Sequence, residues 1–240
     1  MTPDENAAFF TVHRDLPREG PGEAADVHWA LEQLDLSGTV DVLDAACGPG
    51  ADLEVLADAL PQARLTGIEM TPHFASAARE RVARFGPRAT AREGDMRDPG
   101  GPYDLIWCAG ALYFLGVTDG LRGWRTALKP GGVVAFSEPV LLRDTPGGRA
   151  FWEEYPQITQ LDGIIAQAAD AGYRTLAHRI IVGAPWQTYY DPMQARIDML
   201  RAQAPDEALS AALEENQREI DLWRAARDDI AYALLVVLPE

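Results

Sequence analysis

Val42-Leu43-Asp44-Ala45-Ala46-Cys47-Gly48-Pro49-Gly50 is an apolar run that ends in an acid and breaks into a glycine turn. The reading Val40–Ala45 as a strand and Asp52–Leu60 as a helix follows, because Leu53, Leu56, Ala57 and Leu60 recur at helical spacing and Pro61 stops them. The pattern then repeats. Strands are expected at Arg64–Glu69, Ala89–Glu93, Asp104–Cys108, Val133–Phe136, Arg174–Val182 and Ala231–Leu238. Helices are expected at Pro72–Phe85, Gly120–Leu128 and Ile158–Ala171. Strand and helix alternating at this pitch predict an α/β, doubly wound sheet with helices on both faces. Ligands on such sheets bind at the carboxyl ends of the strands, where strand order reverses. The turn at Cys47–Gly50 marks that place.

Two excursions break the alternation. About 20 residues containing Phe151, Trp152 and Tyr155 follow the strand ending near Ser137. A longer insertion, Gly183–Asp229, opens Pro185-Trp186-Gln187-Thr188-Tyr189-Tyr190 and continues as two helices, near Pro192–Gln203 and Asp206–Ala226. Both leave from strand carboxyl ends, so both fall on the ligand side. The expected division is a helical cap over residues 1–38, a core of 39–182 with 228–240, and a helical lid over 183–227. A roofed pocket suits a small molecule.

Composition narrows the classes. The chain has 240 residues and a net charge of −16. Met1–Asp35 holds eight acids against two arginines, and Gln203–Glu240 nine against three. Such a chain repels phosphate backbones and anionic lipid, so neither nucleic acid nor a membrane is an expected partner. No apolar run reaches the roughly 18 residues of a membrane span, and Met1–Phe10 lacks the basic cluster of a secretory signal. Two cysteines, Cys47 and Cys108, cannot staple a domain of this size, which points to a reducing, cytoplasmic setting. No histidine or cysteine pair has metal-ligand spacing, so no metal is expected.

The glycine turn resembles the first motif of class I S-adenosylmethionine-dependent methyltransferases, with Ala46 where a glycine is common. Four further segments match in order: Glu69-Met70 at the end of the second strand, Gly94-Asp95-Met96 after the third, Tyr103–Cys108 as the fourth, and Leu128-Lys129-Pro130-Gly131-Gly132 before the fifth. The resemblance implies a Rossmann-like sheet of seven mostly parallel strands with the last antiparallel. It also implies S-adenosylmethionine as cofactor, set against Asp44, Ala46, Gly48 and Gly50. Glu69 inherits the ribose hydroxyls, Met70 the adenine face and Asp95, beside Met96, the adenine amino group. Cys108 is expected as a small residue lining the cofactor. Arg18, beside Gly20-Pro21-Gly22, is placed either over the methionine carboxylate or on a surface acid. The flanking segments look closer to a sparsely characterised bacterial group of small-molecule methyltransferases, whose substrate the likeness does not identify.

Methyl transfer from a sulfonium needs in-line approach, exclusion of water and sometimes removal of a proton. Candidates for that base are Glu138, at the fifth strand's end, His13, and the tyrosines of the roof, with Tyr113 among the catalytic candidates. Glu138 equally suits holding an arginine, and His13 equally suits a plain surface position. Tyr113 is a candidate for substrate contact or for packing under the lid. Trp152, Tyr155, Trp186, Tyr189 and Tyr190 are read as an aromatic pocket wall or as lid core. The turn Ala109-Gly110-Ala111-Leu112-Tyr113 lacks the Asn/Asp-Pro-Pro-aromatic pattern of enzymes that methylate adenine or glutamine nitrogens. A small-molecule acceptor is therefore expected, its methylated atom unassigned. A competing reading is a cofactor-binding protein that regulates a partner without catalysing. A nicotinamide oxidoreductase is disfavoured, because Leu53 stands where that fingerprint wants glycine or alanine.

Overall fold

The computed structural model of the chain describes residues 3–240, so the first two positions of the expected cap lie outside the described residues. Seven strands form one sheet: β1 (Asp41–Ala45), β2 (Arg64–Glu69), β3 (Ala89–Glu93), β4 (Tyr103–Ala109), β5 (Leu128–Leu141), β6 (Tyr173–Ile181) and β7 (Ile230–Pro239). Their order is β3-β2-β1-β4-β5-β7-β6. The strands β1 to β5 pair in parallel, while β7 slots antiparallel between β5 and β6. Order reverses between β1 and β4, so the crevice falls beyond Ala45, as the glycine turn requires. Strand β7 reads Ile-Ala-Tyr-Ala-Leu-Leu-Val-Val, apolar at every position, because both its faces are buried.

Helices α1 (Pro3–His13), α2 (Ala24–Glu32), α3 (Ala51–Ala59) and α4 (Pro72–Val82) cover one face, and α5 (Val117–Trp124) and α7 (Leu161–Asp170) the other. A short α6 (Pro146–Phe151) precedes α7, and α8 (Ala184–Arg201) and α9 (Glu207–Ala226) fill the insertion before β7. The second face buries Ile106, Phe136, Leu121, Trp124 and Ile164. The first buries Leu53, Leu56 and Trp107 in one continuous core with Val12 of α1, Trp186 and Tyr190 of α8, and Leu213 and Ile220 of α9. Lid and cap therefore share a core with the sheet. Cys47 belongs to the first core and Cys108 to the second, and both thiols are free.

Two elements run past their expected bounds. Strand β5 continues beyond Phe136 to Leu141, pairing with β7 as far as Leu141↔Ile230, and so carries Ser137 and Glu138 within the strand. Pro139 is tolerated there because β4 ends opposite Ser137. The N–H of Leu141, two residues on and pointing the same way, already leaves the sheet to donate to the Thr159 carbonyl at 2.8 Å. The first insertion helix begins at Ala184 rather than Pro192. Pro185 sits in its first turn, where no N–H is needed, and Pro192 is held inside the helix by packing on either side. The Trp186–Tyr190 stretch is thus helix and not loop.

The turn after β1 is built by close approach. Gly50 has φ +82°, and a Cβ there would lie 3.0 Å from both Cα and Cβ of Ala78 on α4. A left-handed side chain costs about 1–2 kcal/mol, and forced overpacking costs a further 1–3 kcal/mol. Gly50→Ala should therefore lower unfolding free energy by about 2–5 kcal/mol, read as a reduced urea midpoint at unchanged slope; an unaltered midpoint would contradict the packing described.

Candidate active site

The site begins where β1 and β2 end. Glu69 is 8% exposed. Its Oε2 accepts from the Gly48 N–H at 3.0 Å and its Oε1 from the Thr71 N–H at 2.8 Å. It is a buried strand-end acid that ties the glycine turn to β2. Ala46 holds φ +57°, the left-handed conformation that explains why glycine is common there. Asp44 is 2% exposed and its Oδ2 has no partner among the described residues. Burial, then the neighbouring carboxylates of Asp52 and Glu69, push its carboxyl well above the ordinary range, with Arg18 opposing. Leu53 fits over the turn because β2 carries Gly67, whose absent Cβ would meet Leu53 Cδ2 at 2.7 Å.

The N-terminal segment closes over this turn. Arg18 Nη2 donates to Asp52 Oδ1 at 2.9 Å, Nε donates to the Gly20 carbonyl at 2.8 Å, and Nη1 reaches the Gly22 carbonyl. Asp52 also accepts from Trp107 Nε1 at 3.1 Å. Arg18 therefore pairs with an acid of the site, not of the surface. Glu19 lies against Gly48, whose absent Cβ would stand 3.7 Å from Glu19 Cγ. Its Oε2 meets His13 Nδ1 at 2.7 Å, while Oε1 is buried without a partner. His13 is 4% exposed, so it is not a surface residue. Asn216 of α9 gives its Nδ2 to the Ala212 carbonyl, leaving Oδ1 to accept from His13 Nε2 at 3.0 Å. Asn216, His13 and Glu19 thus form a chain from lid helix to glycine turn.

The adenine end is more open. Met70 is 71% exposed at the end of β2. Asp95 is half-buried and accepts from the Arg97 N–H at 2.8 Å and Arg97 Nη1 at 2.9 Å, which holds its carboxyl below the usual range. Met96 beside it accepts, through its carbonyl, from Trp124 Nε1 at 2.7 Å.

On the other side of the crevice, Glu138 is 5% exposed and its Oε2 has no partner. Desolvation pushes its carboxyl up to about 8, opposed only by a hydrogen bond from the Tyr113 N–H. No arginine holds it. Around it stand Tyr113, Tyr155 and Tyr232, each with its phenol pushed up chiefly by burial and each sensing the Glu138 carboxyl. Tyr113 and Tyr155 pack edge to face, centroids 4.8 Å apart. Trp152, Trp186 and Tyr190 belong to the lid core: Trp186 Nε1 donates to the Ile181 carbonyl at 3.0 Å, and Tyr190 Oη to Glu219 Oε1 at 2.8 Å. Tyr189 is buried among Glu219, Glu19, Tyr232 and Tyr155. Cys108 is fully buried, which pushes its thiol well up and removes thiolate chemistry. Glu19, Tyr232, Asn216 and Glu219 were not singled out by the sequence. Glu19 stands between Arg18 and Gly20, but only its fold-back onto Gly48 gives it a place. No group of side chains among the described residues could hold a metal ion, and no described helix is long and apolar enough to cross a membrane.

Around the glycine turn, Glu19, Asp44, Asp52 and Glu69 face one arginine. Such a site favours a cationic ligand and repels a pyrophosphate. S-adenosylmethionine, with a sulfonium and an ammonium against one carboxylate, fits the charge. The unpartnered oxygens of Asp44 and Glu19 fit its donors.

Residues 42–132 match the methyltransferase domain family. A trans-aconitate 2-methyltransferase of Paracidovorax citrulli is 34% identical over 147 residues, 59% of this chain and 55% of that protein. That of Streptomyces avermitilis is 34% identical over 120 residues, 47% and 43% of the two chains. The chain spans about half the length of these curated relatives. Among solved structures, a SAM-dependent methyltransferase from Geobacter sulfurreducens, in complex with S-adenosyl-L-homocysteine, aligns with a TM-score of 0.84 at 20% identity, covering 98% of each chain. The [4+2]-cyclase SpnF aligns with a TM-score of 0.75 at 19% identity, covering 98% and 93%. The fold is that of the class I methyltransferases.

The raised carboxyl of Glu138 has a consequence for stability. A carboxyl whose folded value is about 8, against roughly 4.3 unfolded, binds more protons in the native state between those limits. Its contribution is complete below the unfolded value and is lost as pH rises through the folded one. Wild-type stability should therefore decline between pH 5 and pH 9, and Glu138→Gln should flatten the decline by up to a few kcal/mol. Urea midpoints of both proteins at the two pH values give the difference; parallel behaviour would refute a buried, proton-holding carboxyl.

Proposed function

We propose that this chain, a member of the class I S-adenosylmethionine-dependent methyltransferases, binds S-adenosylmethionine beyond the ends of β1 to β4 and transfers its methyl group to a small molecule beneath the lid. The observation that carries this reading is the ring of Glu19, Asp44, Asp52 and Glu69 about the glycine turn, a cation site with unpartnered buried oxygens. The relatives' names support a small acceptor, as does a lid that shares its core with the sheet.

When bound, the cofactor supplies an activated methyl group, so no covalent help from the protein is needed. Glu69 takes the ribose hydroxyls in exchange for part of its hold on Gly48 and Thr71. Met70 covers the adenine face and Asp95, flanked by Met96, receives its amino group. Asp44 and the backbone of Ala46, Gly48 and Gly50 receive the methionine end. Arg18 fixes the covering segment through Asp52 and the carbonyls of Gly20 and Gly22, and Cys108 supports the site from the core of the opposite sheet face. Tyr113, Tyr155 and Tyr189 orient the acceptor, with Trp152, Trp186 and Tyr190 holding the wall behind them. Glu138, which receives the Tyr113 N–H, is the proton acceptor on this side of the crevice. His13, tied to Glu19 and Asn216, is a positioning residue and not the base.

Fold alone does not decide this chemistry, since a cyclase shares it. Calorimetry should show S-adenosylmethionine binding and no NAD binding. Glu69→Ala should weaken S-adenosylmethionine by about 2–3 kcal/mol, the loss of charge-assisted bonds to two hydroxyls. It should also cost about 1–3 kcal/mol of stability, because the buried Gly48 N–H loses its partner. Cofactor affinity within twofold of wild type in the folded variant would remove Glu69 from the site. Cofactor bound without transfer to any acceptor would favour the non-catalytic binder instead.

A further inference from the structure

The acceptor side of the crevice has its own charge character, distinct from the cofactor turn. Glu138 at the end of β5 presents an unpartnered Oε2 and is 5% exposed. The titratable groups that face it are Cys108 of β4, Tyr113 after β4, Tyr155 after α6 and Tyr232 of β7. Glu219 of α9 reaches the same tyrosines from above and meets Tyr190, Glu154, Glu215 and His13. Among the described residues no arginine or lysine forms an ion pair or a hydrogen bond with the side chain of Glu138, Glu219, Tyr113, Tyr155, Tyr189 or Tyr232. His13 is the one basic group in reach of Glu219, and Glu19 already holds it. Arg18 pairs with Asp52, Arg196 with the Thr11 carbonyl and Asp15, and Arg218 lies at the surface, 3.9 Å from Glu153.

We infer that the acceptor is a basic amine, taken up as its ammonium form by Glu138 and the tyrosine cluster, and that a polycarboxylate such as trans-aconitate is not the substrate of this chain. The inference rests on the methyltransferase reading above and names the acceptor for it. A tricarboxylate would bury its charges beside carboxyls and phenols with no arginine or lysine to receive them, and buried unpaired charge is prohibitive. An ammonium reverses the sign of that argument. It satisfies the unpartnered Oε2, restores the carboxylate form of Glu138 by charge pairing, and lies well against phenol rings.

The step balances. The ammonium gives one proton to the Glu138 carboxylate and becomes a neutral amine. Its nitrogen lone pair forms the new bond to the methyl carbon as the carbon–sulfur bond breaks. That bond's electron pair stays on sulfur, which becomes a neutral thioether. The positive charge passes to the methylated nitrogen, and Glu138 returns its proton to water when the product leaves.

The test uses the full chain complexed with S-adenosylhomocysteine, and two probes of similar body and opposite charge, phenethylammonium and 3-phenylpropionate, titrated by calorimetry at pH 7.5. The cation should bind at least tenfold tighter than the anion. In Glu138→Gln, or in Glu219→Gln should the first variant not fold, the preference should fall below threefold. With S-adenosylmethionine, trans-aconitate should yield no methyl ester. Equal or tighter binding of the anion, no binding of the cation at millimolar concentration, a preference that survives both substitutions, or methyl transfer to trans-aconitate would each overturn the inference. A chain that binds S-adenosylhomocysteine yet prefers the anion defeats this inference alone, whereas one that binds no S-adenosylhomocysteine defeats the methyltransferase reading with it.

Discussion

The carboxylate of Glu69 accepts at once from Gly48, in the turn after β1, and from Thr71, at the start of α4. Adjacent parallel strands are joined at their carboxyl ends by this one side chain, and the crevice is shaped by it. Gly50 lets α3 approach α4, Gly67 makes room for Leu53, and Ala46 accepts a left-handed backbone to complete the curve. The acid that holds the turn also brings charge to it. With Asp44, Asp52 and Glu19 gathered near, carboxyls outnumber the one arginine, and their mutual repulsion adds to burial in raising Asp44. A ligand bearing a sulfonium relieves that repulsion, and one bearing pyrophosphate would add to it.

Most of the sheet was legible because its strands are short, apolar and bounded by Gly or Pro, the pattern a buried parallel strand must have. Arg64–Glu69 and Ala89–Glu93 fall on their expected bounds. The errors have physical reasons. Pro192 reads as a helix start, since a proline inside a helix forfeits a hydrogen bond, yet packing of Tyr189, Tyr190 and Met193 carries α8 through it. Pro139 reads as the end of β5, yet its missing N–H falls where no strand follows. The five ordered motifs fall at or beside the carboxyl ends of β1 to β3, along β4 and at the start of β5, because spacing along alternating strands dictates where each strand end falls. Burial was less legible. Nothing local distinguishes an exposed Glu69 or His13 from a buried one, since each meets a partner distant in sequence, Glu69 the Gly48 N–H and His13 the Asn216 side chain of α9. The aromatic residues of the insertion were visible as a group, but their division into wall and core depends on which polar tips find partners. Trp186 and Tyr190 find them, at Ile181 and Glu219.

The way the lid is held sets how the crevice can open. Trp186 lies parallel to Trp223 of α9 at 6.4 Å and packs on Tyr232 of β7 at 5.6 Å, while Trp152 meets both Trp186 and Tyr232. Lifting α8 and α9 from the sheet would expose these rings and the aliphatic residues below them, at roughly 1.5–3 kcal/mol for each large side chain. The segment from Asp15 to Gly22 is held differently. Leu16 anchors it in the core, and its other ties are the Arg18 bond to Asp52, the His13–Glu19 contact, the Arg81 guanidinium to the Pro17 carbonyl at 3.0 Å, the Gly22 N–H to the Pro185 carbonyl at 3.1 Å, and the Thr188 hydroxyl to the Gly22 carbonyl at 2.7 Å. Each of these other ties is a polar bond that water replaces at a net cost of about 0.5–1.5 kcal/mol, more where a charge is involved. The covering segment is therefore the cheaper part to displace, and it is also the part that lies against Gly48. Its own side chains, Arg18 and Glu19, supply the charges that a cationic cofactor would redistribute, so the contacts that close the crevice and those that recognise its occupant are carried by the same residues.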